Sequence, residues 1–434
     1  MKVLIAFLHY GPYHRARLAA AREAGLAEGV TVTGLEMARS QGEYAWTCEE
    51  KDELLCENED IPLENVAAAL WSTLLGPALN RVAPDLCAIA GYSHPAMLSL
   101  IALCAERGIP WILMSESQEI DEVRKPSREW MKSRIISLAS SALAGGKPHL
   151  DYLAKLGLPA SECEVGYDVI DNAYFASESA KWRQSESPPP PYFLASARFI
   201  PKKNLFRLLE AYADYARLKT SQKSEIRNPQ SEIHNSWPLC LLGDGDLKSA
   251  LLTHAADLGL TVIERAPWEL QASNLKPETS NLKPETASAP PTVFLPGFRQ
   301  IAELPRFYAH AGTFVHASTT EQWGLVVNEA MACELPVLVS DRCGCAPDLV
   351  VEGENGWTFD PTDLEGLAAL MTRVAALPEA DRAALGAASE RLIADWGPER
   401  FASGLLSAAR RALEVGPKRA GWLDRALLYV LVRR

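Results

Sequence analysis

A chain of 434 residues is too long for one ordinary hydrophobic core, so the length predicts two domains. Apolar residues make up 48% of the chain and charged residues 23%, a balance typical of a soluble globular enzyme. The formal net charge of -12 argues against a nucleic-acid-binding protein, which usually presents a broad basic face. A phosphorylated ligand is not excluded, because a few basic side chains in a pocket are enough to hold one.

The cysteines and the apolar runs narrow the class of protein further. Nine cysteines are scattered along the chain without the paired spacing of a zinc site, which predicts free thiols in a reducing cytoplasm. The apolar run that begins at Val3 is only about six residues long, and no small-residue cleavage site follows it. It therefore predicts a buried strand and not a signal peptide. No run approaches the roughly 20 apolar residues of a membrane span.

The first third of the chain alternates short apolar runs with helical stretches. KVLIAFL precedes the helical HRARLAAAREAGLAEG and then VTVTGLE, and PDLCAIAG precedes PAMLSLIALCAERG and then PWILMSE. The same rhythm restarts beyond residue 191 with YFLASAR, NLFRLLEAYADYARL and PLCLLGDG. Repeated strand–helix–strand units predict an α/β fold with two Rossmann-like, doubly wound domains, whose ligand sites lie where the strands end.

Changes in composition predict the domain boundaries. Residues 1–176 form the predicted N-terminal domain, and residues 192–395 form the C-terminal one. The polar, proline-rich stretch 177–191 between them predicts a linker. Two polar insertions, at about 221–236 and 268–290, contain duplicated heptads such as SNLKPETSNLKPET, and we predict disordered surface loops there.

Two glutamates, Glu321 and Glu329, flank a predicted junction between a strand and a helix. The free amides of the first helical turn, at Gly324, Leu325 and Val326, form an anion site that Glu321 can also reach. Glu329 lies about 7–8 Å further along the axis, among apolar neighbours where a lone carboxylate needs partners. A phosphate flanked by hydroxyl-rich groups, as in a sugar nucleotide, fits this arrangement. The alternative is that Glu321 caps the helix and Glu329 faces solvent.

This pair and the segments AMACELPVLVSD, GCAPDLV and GENGWTFDP closely resemble the signature of the group 1 glycosyltransferases, the retaining family 4 enzymes of GT-B fold. The family stretches EAMA-x-G-x-PV and GGxPE-x-V…GxxG are matched in order and spacing. Glu334 stands where glycine is usual, Cys345 replaces the second glycine, and Asp348 replaces glutamate. The resemblance implies two Rossmann-like domains facing across a cleft, with the donor on the C-terminal domain.

The segment ASARFIPKKNLFRLLEAY is similar to the family's GRLxxxKG segment, which assigns Arg198 and Lys203 to the donor diphosphate. A guanidinium and an ammonium would stabilise the charge that develops on the leaving diphosphate. By the same resemblance Glu329 would bind the ribose hydroxyls, and Glu321 the transferred sugar or its developing positive charge. The base is expected near Phe298.

The N-terminal half is expected to bind the acceptor. Gly11, in the loop LHYGPYHR, stands where the family commonly has a glycine-rich turn close to the donor phosphates. His94, in AGYSHPAM, lies where many relatives carry a histidine close to the reacting sugar, and it could donate to a hydroxyl or phosphate. The alternative is a structural histidine. Further candidates, from topology alone, are Ser115, Glu116, Ser117, Gly145, Gly146, Lys147 and residues 168–171.

Two other motifs have competing explanations. GDGD (243–246) contains an Asp-x-Asp, which holds a metal in GT-A enzymes, but here it follows a predicted strand and matches the GDGP turn of the GT-B family. We therefore predict no metal site and no cofactor, with Asp246 as a helix cap.

The tail 418–434 has five basic residues and one acid, and its apolar side chains share one helical face. It is either an interfacial membrane helix or part of helices (396–434) that return to the N-terminal domain, as in GT-B proteins.

The resemblance, together with the composition, implies a cytoplasmic, metal-independent hexosyltransferase of a polysaccharide pathway, and the resemblance alone implies that it acts with retention. Its partners would be a UDP-, GDP- or ADP-sugar donor and a glycan, lipid-linked or small-molecule acceptor, with no nucleic acid and with peripheral membrane contact through 418–434. Its catalytic residues would be Glu321, His94, Arg198 and Lys203. The alternatives are a GT-B epimerase or phosphorylase, and a catalytically silent sugar-nucleotide-binding or scaffold protein.

Overall fold

A computed structural model describes residues 1–40, 42, 54–56, 58–225, 236–269 and 290–433. The chain divides into a first unit, Met1–Asp171 with Asp395–Arg434, and a second unit, Asn172–Ala394. The strands are β1 (Lys2–Phe7), β2 (Thr31–Glu36), β3 (Leu54–Cys56), β4 (Leu86–Ala90), β5 (Trp111–Ser115), β6 (Ser141–Ala144), β7 (Cys163–Val165), β8 (Phe193–Ser196), β9 (Leu239–Leu242), β10 (Thr261–Ile263), β11 (Thr292–Gly297), β12 (Thr313–His316), β13 (Val337–Ser340) and β14 (Gly356–Phe359).

The described helices surround these strands. In chain order they are α1 (Pro12–Ala27), α2 (Trp71–Val82), α3 (Pro95–Arg107), α4 (Pro126–Ile136), α5 (Lys147–Lys155), α6 (Asn172–Ser185), α7 (Leu205–Glu225), α8 (Lys248–Asp257), α9 (Leu304–His310), α10 (Leu325–Ala332), α11 (Ala346–Leu349), α12 (Leu364–Ala376), α13 (Glu379–Ile393), α14 (Pro398–Val415) and α15 (Trp422–Val432). Among the described helices, none combines the length and the hydropathy needed to cross a bilayer.

The first unit is a parallel sheet in the order β3-β2-β1-β4-β5-β6-β7. Its interior strand β1 is apolar at every position from Val3 onward because both of its faces are buried. Val3, Ile5 and Phe7 belong to the core shared with α1 and α14, whereas Leu4 and Ala6 belong to the core shared with α2 and α3. The alternation of successive side chains thus builds both layers of helices on one strand.

The second unit is also a parallel sheet, in the order β10-β11-β9-β8-β12-β13-β14. Buried side chains of β8, β9 and β12 form one core with α7 and α12. The prediction of two doubly wound α/β sheets is therefore confirmed. In such sheets the ligand site lies outside the carboxyl ends of the strands, at the point where the strand order reverses. That point falls between β1 and β4 in the first unit and between β8 and β12 in the second.

The C-terminal helices belong to the first unit. α14 packs on α1 and on β6 and β7, and α15 packs on α3 and α4. The hydroxyl of Ser141 in β6 donates to the carbonyl of Ala408 in α14 at 2.8 Å, which fastens this helix to the sheet.

The predicted linker is wrong for residues 177–185, because α6 extends to Ser185. This helix buries Phe175 and Ser179, and Arg183 near its end donates to the carbonyls of Ala309 and Cys333 and pairs with Glu334. Tertiary contacts thus override a polar local sequence.

At their edges, both predicted insertions contain residues that the structure describes and that are ordered in helix α7 or packed on the second unit. α7 continues to Glu225, and the ring of Trp268 packs on Phe307 with centroids 4.5 Å apart. Residues 226–235 and 270–289, which hold most of both predicted disordered segments, lie outside the described residues.

Glu334 adopts a left-handed conformation, with φ of 56°, just after α10. A non-glycine residue there is strained by about 1 kcal/mol, which explains why glycine is usual at this position in the resembling family. Arg183 compensates, since its guanidinium binds both the Glu334 carboxylate and the carbonyl at the end of α10.

We expect Arg183→Ala to lower the free energy of unfolding by about 1–3 kcal/mol, because two carbonyls at helix ends lose a charged donor. Urea denaturation measures the change. The matched control is Arg217→Ala, which removes an exposed pair with Asp214 and should change stability by less than about 0.5 kcal/mol. Equal losses in both variants would contradict the anchoring role of Arg183.

Candidate functional site

The loops at the carboxyl edge of the second sheet are joined in series by backbone hydrogen bonds. Following the strand order β11-β9-β8-β12-β13, the amide-to-carbonyl contacts are Gly243 to Gly297 (3.1 Å), Phe199 to Asp244 (2.7 Å), Thr319 to Lys202 (2.8 Å) and Gly344 to Glu321 (3.0 Å). Five loops that are distant in sequence therefore form one connected rim. The loops that carry Lys203 and Glu321 flank the point where the strand order reverses.

The GDGD turn supports this rim through close backbone packing. A Cβ at Gly243, where φ is +138°, would lie 1.9 Å from the carbonyl oxygen of Ala197. A Cβ at Gly245 would lie 2.9 Å from the backbone of Phe199. Both glycines are therefore required for the turn to pack on the loop that carries Arg198. The prediction that Asp246 caps a helix is wrong, because α8 begins at Lys248 with Leu247 as its N-cap.

The central feature of the rim is the Glu321 carboxylate, which is 11% exposed. Oε1 lies 3.2 Å from Lys202 Nζ, and Oε2 contacts Lys203 Nζ. Ser318 Oγ donates to Oε2 at 3.4 Å, and His316 Nε2 lies 3.6 Å from the same oxygen. Of these partners, the sequence had suggested only Lys203.

Two opposing effects set the pKa of Glu321. Burial raises it, but the hydrogen bond from His316 and the charges of Lys203 and Lys202 outweigh burial and hold the pKa well below its ordinary value. Burial lowers the pKa of His316. The site therefore combines an ionised carboxylate with a neutral imidazole at neutral pH.

Helix α10 begins beside this carboxylate, as expected. Its N-cap is Gly324, in the left-handed region with φ of 107°, and Leu325 and Val326 form the first turn. A Cβ at Gly324 would lie within 3.6 Å of Glu321 Cγ and within 3.5 Å of His316 Nε2. The alternative in which Glu321 caps α10 is wrong, because glycine occupies the N-cap position.

Glu329 is 1% exposed, so the alternative in which it faces solvent is also wrong. Its Oε2 accepts a hydrogen bond from the Tyr308 hydroxyl at 2.7 Å. Tyr308 comes from α9, a helix whose apolar pattern gave no sign that its tyrosine meets a buried carboxylate. On the same helix as Glu329, Asn328 accepts from the indole of Trp323 at 2.9 Å.

The remaining donor-side candidates lie on the same rim. Arg198 lies two residues after β8 and is half-buried, between Ala197 and Phe199, whose amides donate to the carbonyls of Leu242 and Asp244. Phe298 directly follows β11 and is 40% exposed. Its neighbour Arg299 braces the loop itself, pairing with Glu303 at 3.1 Å and donating to the carbonyl of Pro296.

The CGC turn lies against the Glu321 loop. The amide of Cys345 donates to the carbonyl of Trp323 at 3.2 Å, and both Cys343 and Cys345 are buried. Burial raises the pKa of both thiols, so they are protonated at neutral pH. In the described part of the chain, no group of three or more His, Cys, Asp or Glu side chains is placed to hold a metal ion.

Gly11 and His94 flank the corresponding point of the first sheet, after β1 and β4. Gly11 is the N-cap of α1 with φ of -74°, a conformation open to any residue. His94 is the N-cap of α3, and its Nδ1 accepts from the amide of Ala96 at 3.2 Å. Its ring also packs edge-on against Trp71, and burial lowers its pKa. The structural and the functional interpretations of His94 are therefore compatible. The neutral imidazole caps α3 through Nδ1, and its Nε2 keeps a proton that it can donate.

Gly145, Gly146 and Asp168, three of the other candidates of the first unit, lie close together after β6 and β7, whereas Ser115, Glu116 and Ser117 lie at the end of β5. A Cβ at Gly145 would lie 2.8 Å from Asp168 Oδ2, and the amide of Gly146 donates to His149 Nδ1 at 3.0 Å. Arg17 Nη2 lies 3.5 Å from Asp168 Oδ1, yet burial raises the pKa of Asp168 to about 6. Arg17 and His149 were missed from sequence because each lies within a helix that is otherwise unremarkable.

We expect Gly243→Ala to destabilise the second unit by about 2–4 kcal/mol, since the new methyl group collides with the Ala197 carbonyl at a backbone angle that alanine disfavours. Thermal unfolding measures the loss. Gly259→Ala is the control, because that glycine also has a positive φ but its Cβ would meet open space among the described residues. It should lose only about 1–2 kcal/mol, and equal losses would argue against close loop packing.

We expect Glu321→Gln to destabilise the protein by about 1–3 kcal/mol at pH 7, because Lys202 and Lys203 lose their shared anion. A depressed carboxyl pKa contributes stability above the unfolded-state value of about 4.3, and this contribution is lost as the pH falls towards the folded-state value. The difference between the wild type and the variant should therefore shrink below about pH 4–5. Urea denaturation across this range tests it, and a constant difference would contradict the assignment.

The family match among known proteins lies within the second unit. Residues 276–391 match the family described as glycosyl transferases group 1. The sulfoquinovosyl transferase SQD2 of Arabidopsis thaliana is 45% identical over 78 residues, 17% of this chain and 15% of that protein. The D-inositol 3-phosphate glycosyltransferase of Thermobifida fusca is 36% identical over 112 residues, 26% of this chain and 25% of that protein. The alignments thus span a quarter or less of these relatives.

Similarity in structure covers much more of the chain. The crystal structure of Anabaena HepE in complex with UDP and glucose superposes with a TM-score of 0.64 at 17% identity, covering 94% of this chain and 99% of that one. At this identity the similarity establishes the fold alone. The comparisons therefore show that residues 276–391 are similar to the group 1 glycosyltransferases, and that the two parallel sheets have the GT-B fold.

Proposed function

We propose that this protein is a retaining glycosyltransferase that moves a hexosyl group from a nucleoside diphosphate to a glycan, lipid-linked or small-molecule acceptor. The observation that carries the proposal is the Glu321 carboxylate, held between Lys202 and Lys203 beside the start of α10. An anion, cations and free helix amides in one place suit a ligand that is anionic at one end and hydroxyl-rich at the other.

The diphosphate would be bound by cations and by the amide end of α10. Arg198 and Lys203 are the proposed contacts, together with Gly324, Leu325 and Val326. Lys203 is 12% exposed and its ammonium is already partly desolvated, which strengthens its attraction to a phosphate. As the glycosidic bond breaks, these groups would stabilise the negative charge on the leaving diphosphate without any metal or cofactor.

The two glutamates would bind the sugars on either side. Glu321, kept ionised by the lysines and aligned by Ser318 and His316, would accept a hydroxyl of the transferred sugar or stabilise its developing positive charge. Glu329, with Tyr308, would hold the ribose hydroxyls. Phe298, exposed at the rim, would pack on the base.

The first unit would supply the remaining contacts. His94 keeps a proton on Nε2 because its Nδ1 caps α3, so it can donate to a sugar hydroxyl or to a phosphate. Gly11 would place the start of α1 near the phosphates. In the retaining mechanism we propose, the acceptor attacks from the face that the leaving phosphate vacates, and that phosphate accepts the acceptor's proton.

We further propose that the reaction takes place in the cytoplasm within a polysaccharide pathway, with peripheral membrane contact through residues 418–434. Cys56, Cys87, Cys104, Cys163, Cys240, Cys333, Cys343 and Cys345 are all free thiols, as a reducing compartment would maintain them.

A thermal-shift screen of UDP-, GDP- and ADP-glucose tests donor binding. A donor at about 100 times its dissociation constant should stabilise the native state by about 2.7 kcal/mol. Arg198→Ala should abolish this shift, because it removes the proposed guanidinium contact to the diphosphate. The control Arg391→Ala, which changes a 66% exposed side chain near Glu354, should retain it. A full shift in the Arg198→Ala variant would overturn the diphosphate assignment.

Donor turnover separates this proposal from the alternative of a catalytically silent sugar-nucleotide-binding protein. An active transferase should release free nucleoside diphosphate when a pool of glycan and lipid-linked acceptors is added, and chelation of divalent metals should not slow the release. Binding without release under any acceptor pool would favour the silent protein.

A further inference from the structure

We propose that the first unit binds an anionic bilayer through a membrane-contact surface. This surface consists of the outer face of α15 and the adjoining segment 123–130. The inference rests on the proposed function in one respect: binding to a bilayer would bring the enzyme to a lipid-linked acceptor. Its physical basis is separate and lies entirely within the first unit.

The inner face of α15 is fully committed to the core. Leu428 and Val432 are buried in the cluster that includes residues of α3, and Leu427 and Leu431 pack against it. Leu427 and Leu431 belong to the apolar face that the sequence predicts, and both of them point towards the core. The helix is part of the fold and not a loose tail, so its opposite face has a defined orientation.

Asp424 fixes that orientation. Its Oδ2 accepts from the amide of Gly421 at 2.9 Å, which caps the start of α15. Its Oδ1 is bound by two nitrogens of Arg134 in α4, at 2.6 and 2.8 Å. Asp424 is buried, so one carboxylate both starts the helix and joins it to α4.

The outer face of α15 exposes large apolar side chains. Trp422 is 81% exposed, Tyr429 61% and Val430 55%. Trp422, Ala426 and Tyr429 follow one another at intervals of four and three residues, so they form a stripe along the helix. Exposed tryptophan and tyrosine on a fixed helix are expensive in water and favourable at a bilayer interface, where the ring and its polar atom are both accommodated.

Basic side chains flank this stripe in a protein whose net charge is -12. Arg425 is exposed on one side of it, and the guanidinium of Arg433 lies 3.6 Å from the centroid of the Tyr429 ring. The acid on this helix, Asp424, is buried and paired with Arg134. The exposed charge of the helix is thus positive, which complements anionic headgroups and indicates a lipid surface.

The segment 123–130, which runs into α4, also exposes apolar and basic side chains. Val123 is 85% exposed and Trp130 is 50% exposed, with Lys125 and Arg128 exposed between them. The nearby acid Glu122 is paired with Lys132 at 3.0 Å and with Arg128 at 3.6 Å, so Lys125 supplies the exposed positive charge of this segment. Trp130 lies one helical turn before Arg134, the residue that binds Asp424, so the Arg134–Asp424 pair connects the two exposed aromatic groups.

Sedimentation of the full-length protein with vesicles tests the surface. The protein should sediment with mixed phosphatidylcholine and phosphatidylglycerol vesicles, and only weakly with phosphatidylcholine alone. The double variant Trp422→Ala, Tyr429→Ala should partition about tenfold more weakly, because it removes most of the apolar area that would enter the interface. Trp130→Ala should weaken partitioning severalfold.

Leu26→Ala is the matched control, because it truncates an 82% exposed side chain on α1, a helix outside the proposed surface. It should sediment like the wild type. All substituted positions are at least half exposed, so thermal unfolding should be unchanged and a folding defect would not be mistaken for lost binding.

Three results would overturn the inference: wild-type protein that stays in the supernatant with anionic vesicles, a double variant that sediments like the wild type, or an equal loss in Leu26→Ala. Self-association that disappears in the double variant, without vesicle binding, would assign the face to a second copy of the chain instead. The thermal shift with donor sugars should be unaffected in every surface variant. Failure of membrane binding and failure of donor binding are therefore distinguishable.

Discussion

The ion cluster in which Lys202 and Lys203 share the Glu321 carboxylate constrains the whole ligand edge of the second unit. Without the carboxylate, two ammonium groups would repel each other in a partly desolvated place. Without the lysines, a nearly buried carboxylate would have to take up a proton. His316 and Ser318 complete the cluster from the end of β12. Because the lysines and the glutamate come from different loops, the cluster also determines how closely those loops approach.

Backbone hydrogen bonds hold the same loops together as the ion cluster does. Lys202 contributes both its ammonium to Glu321 and its carbonyl to the amide of Thr319, so one residue ties the β8 loop to the β12 loop twice. The glycines at 243 and 245 let the β9 turn pack against the β8 loop from the other side. A site placed on connected loops at the end of a rigid sheet retains its geometry while the loops remain free to vary in sequence.

Some departures from the family pattern are explained by their surroundings. Glu334 occupies a left-handed position where glycine is usual, and the guanidinium of Arg183 both pairs with it and caps the end of α10. The same arginine explains why α6 is helical in a stretch that local composition predicts as a linker. Cys345 is buried, its amide donates to the carbonyl of Trp323, and its sulfur would lie 3.6 Å from a Cβ at Gly324, the N-cap of α10.

The two parallel sheets could be predicted from the order of residues, as could the loops after strands that carry Arg198, Lys203 and Glu321 and the helix that carries Glu329, because apolar runs and helical periodicity are local properties of the chain. The partners of these residues follow from the folded chain alone. Lys202, His316 and Tyr308 carry no signal of their own, since each meets its carboxylate through strand order and loop packing across distant segments. The same holds for α6 and α15: a polar or amphipathic pattern allows several environments, and the contacts of Arg183 and Asp424 select one.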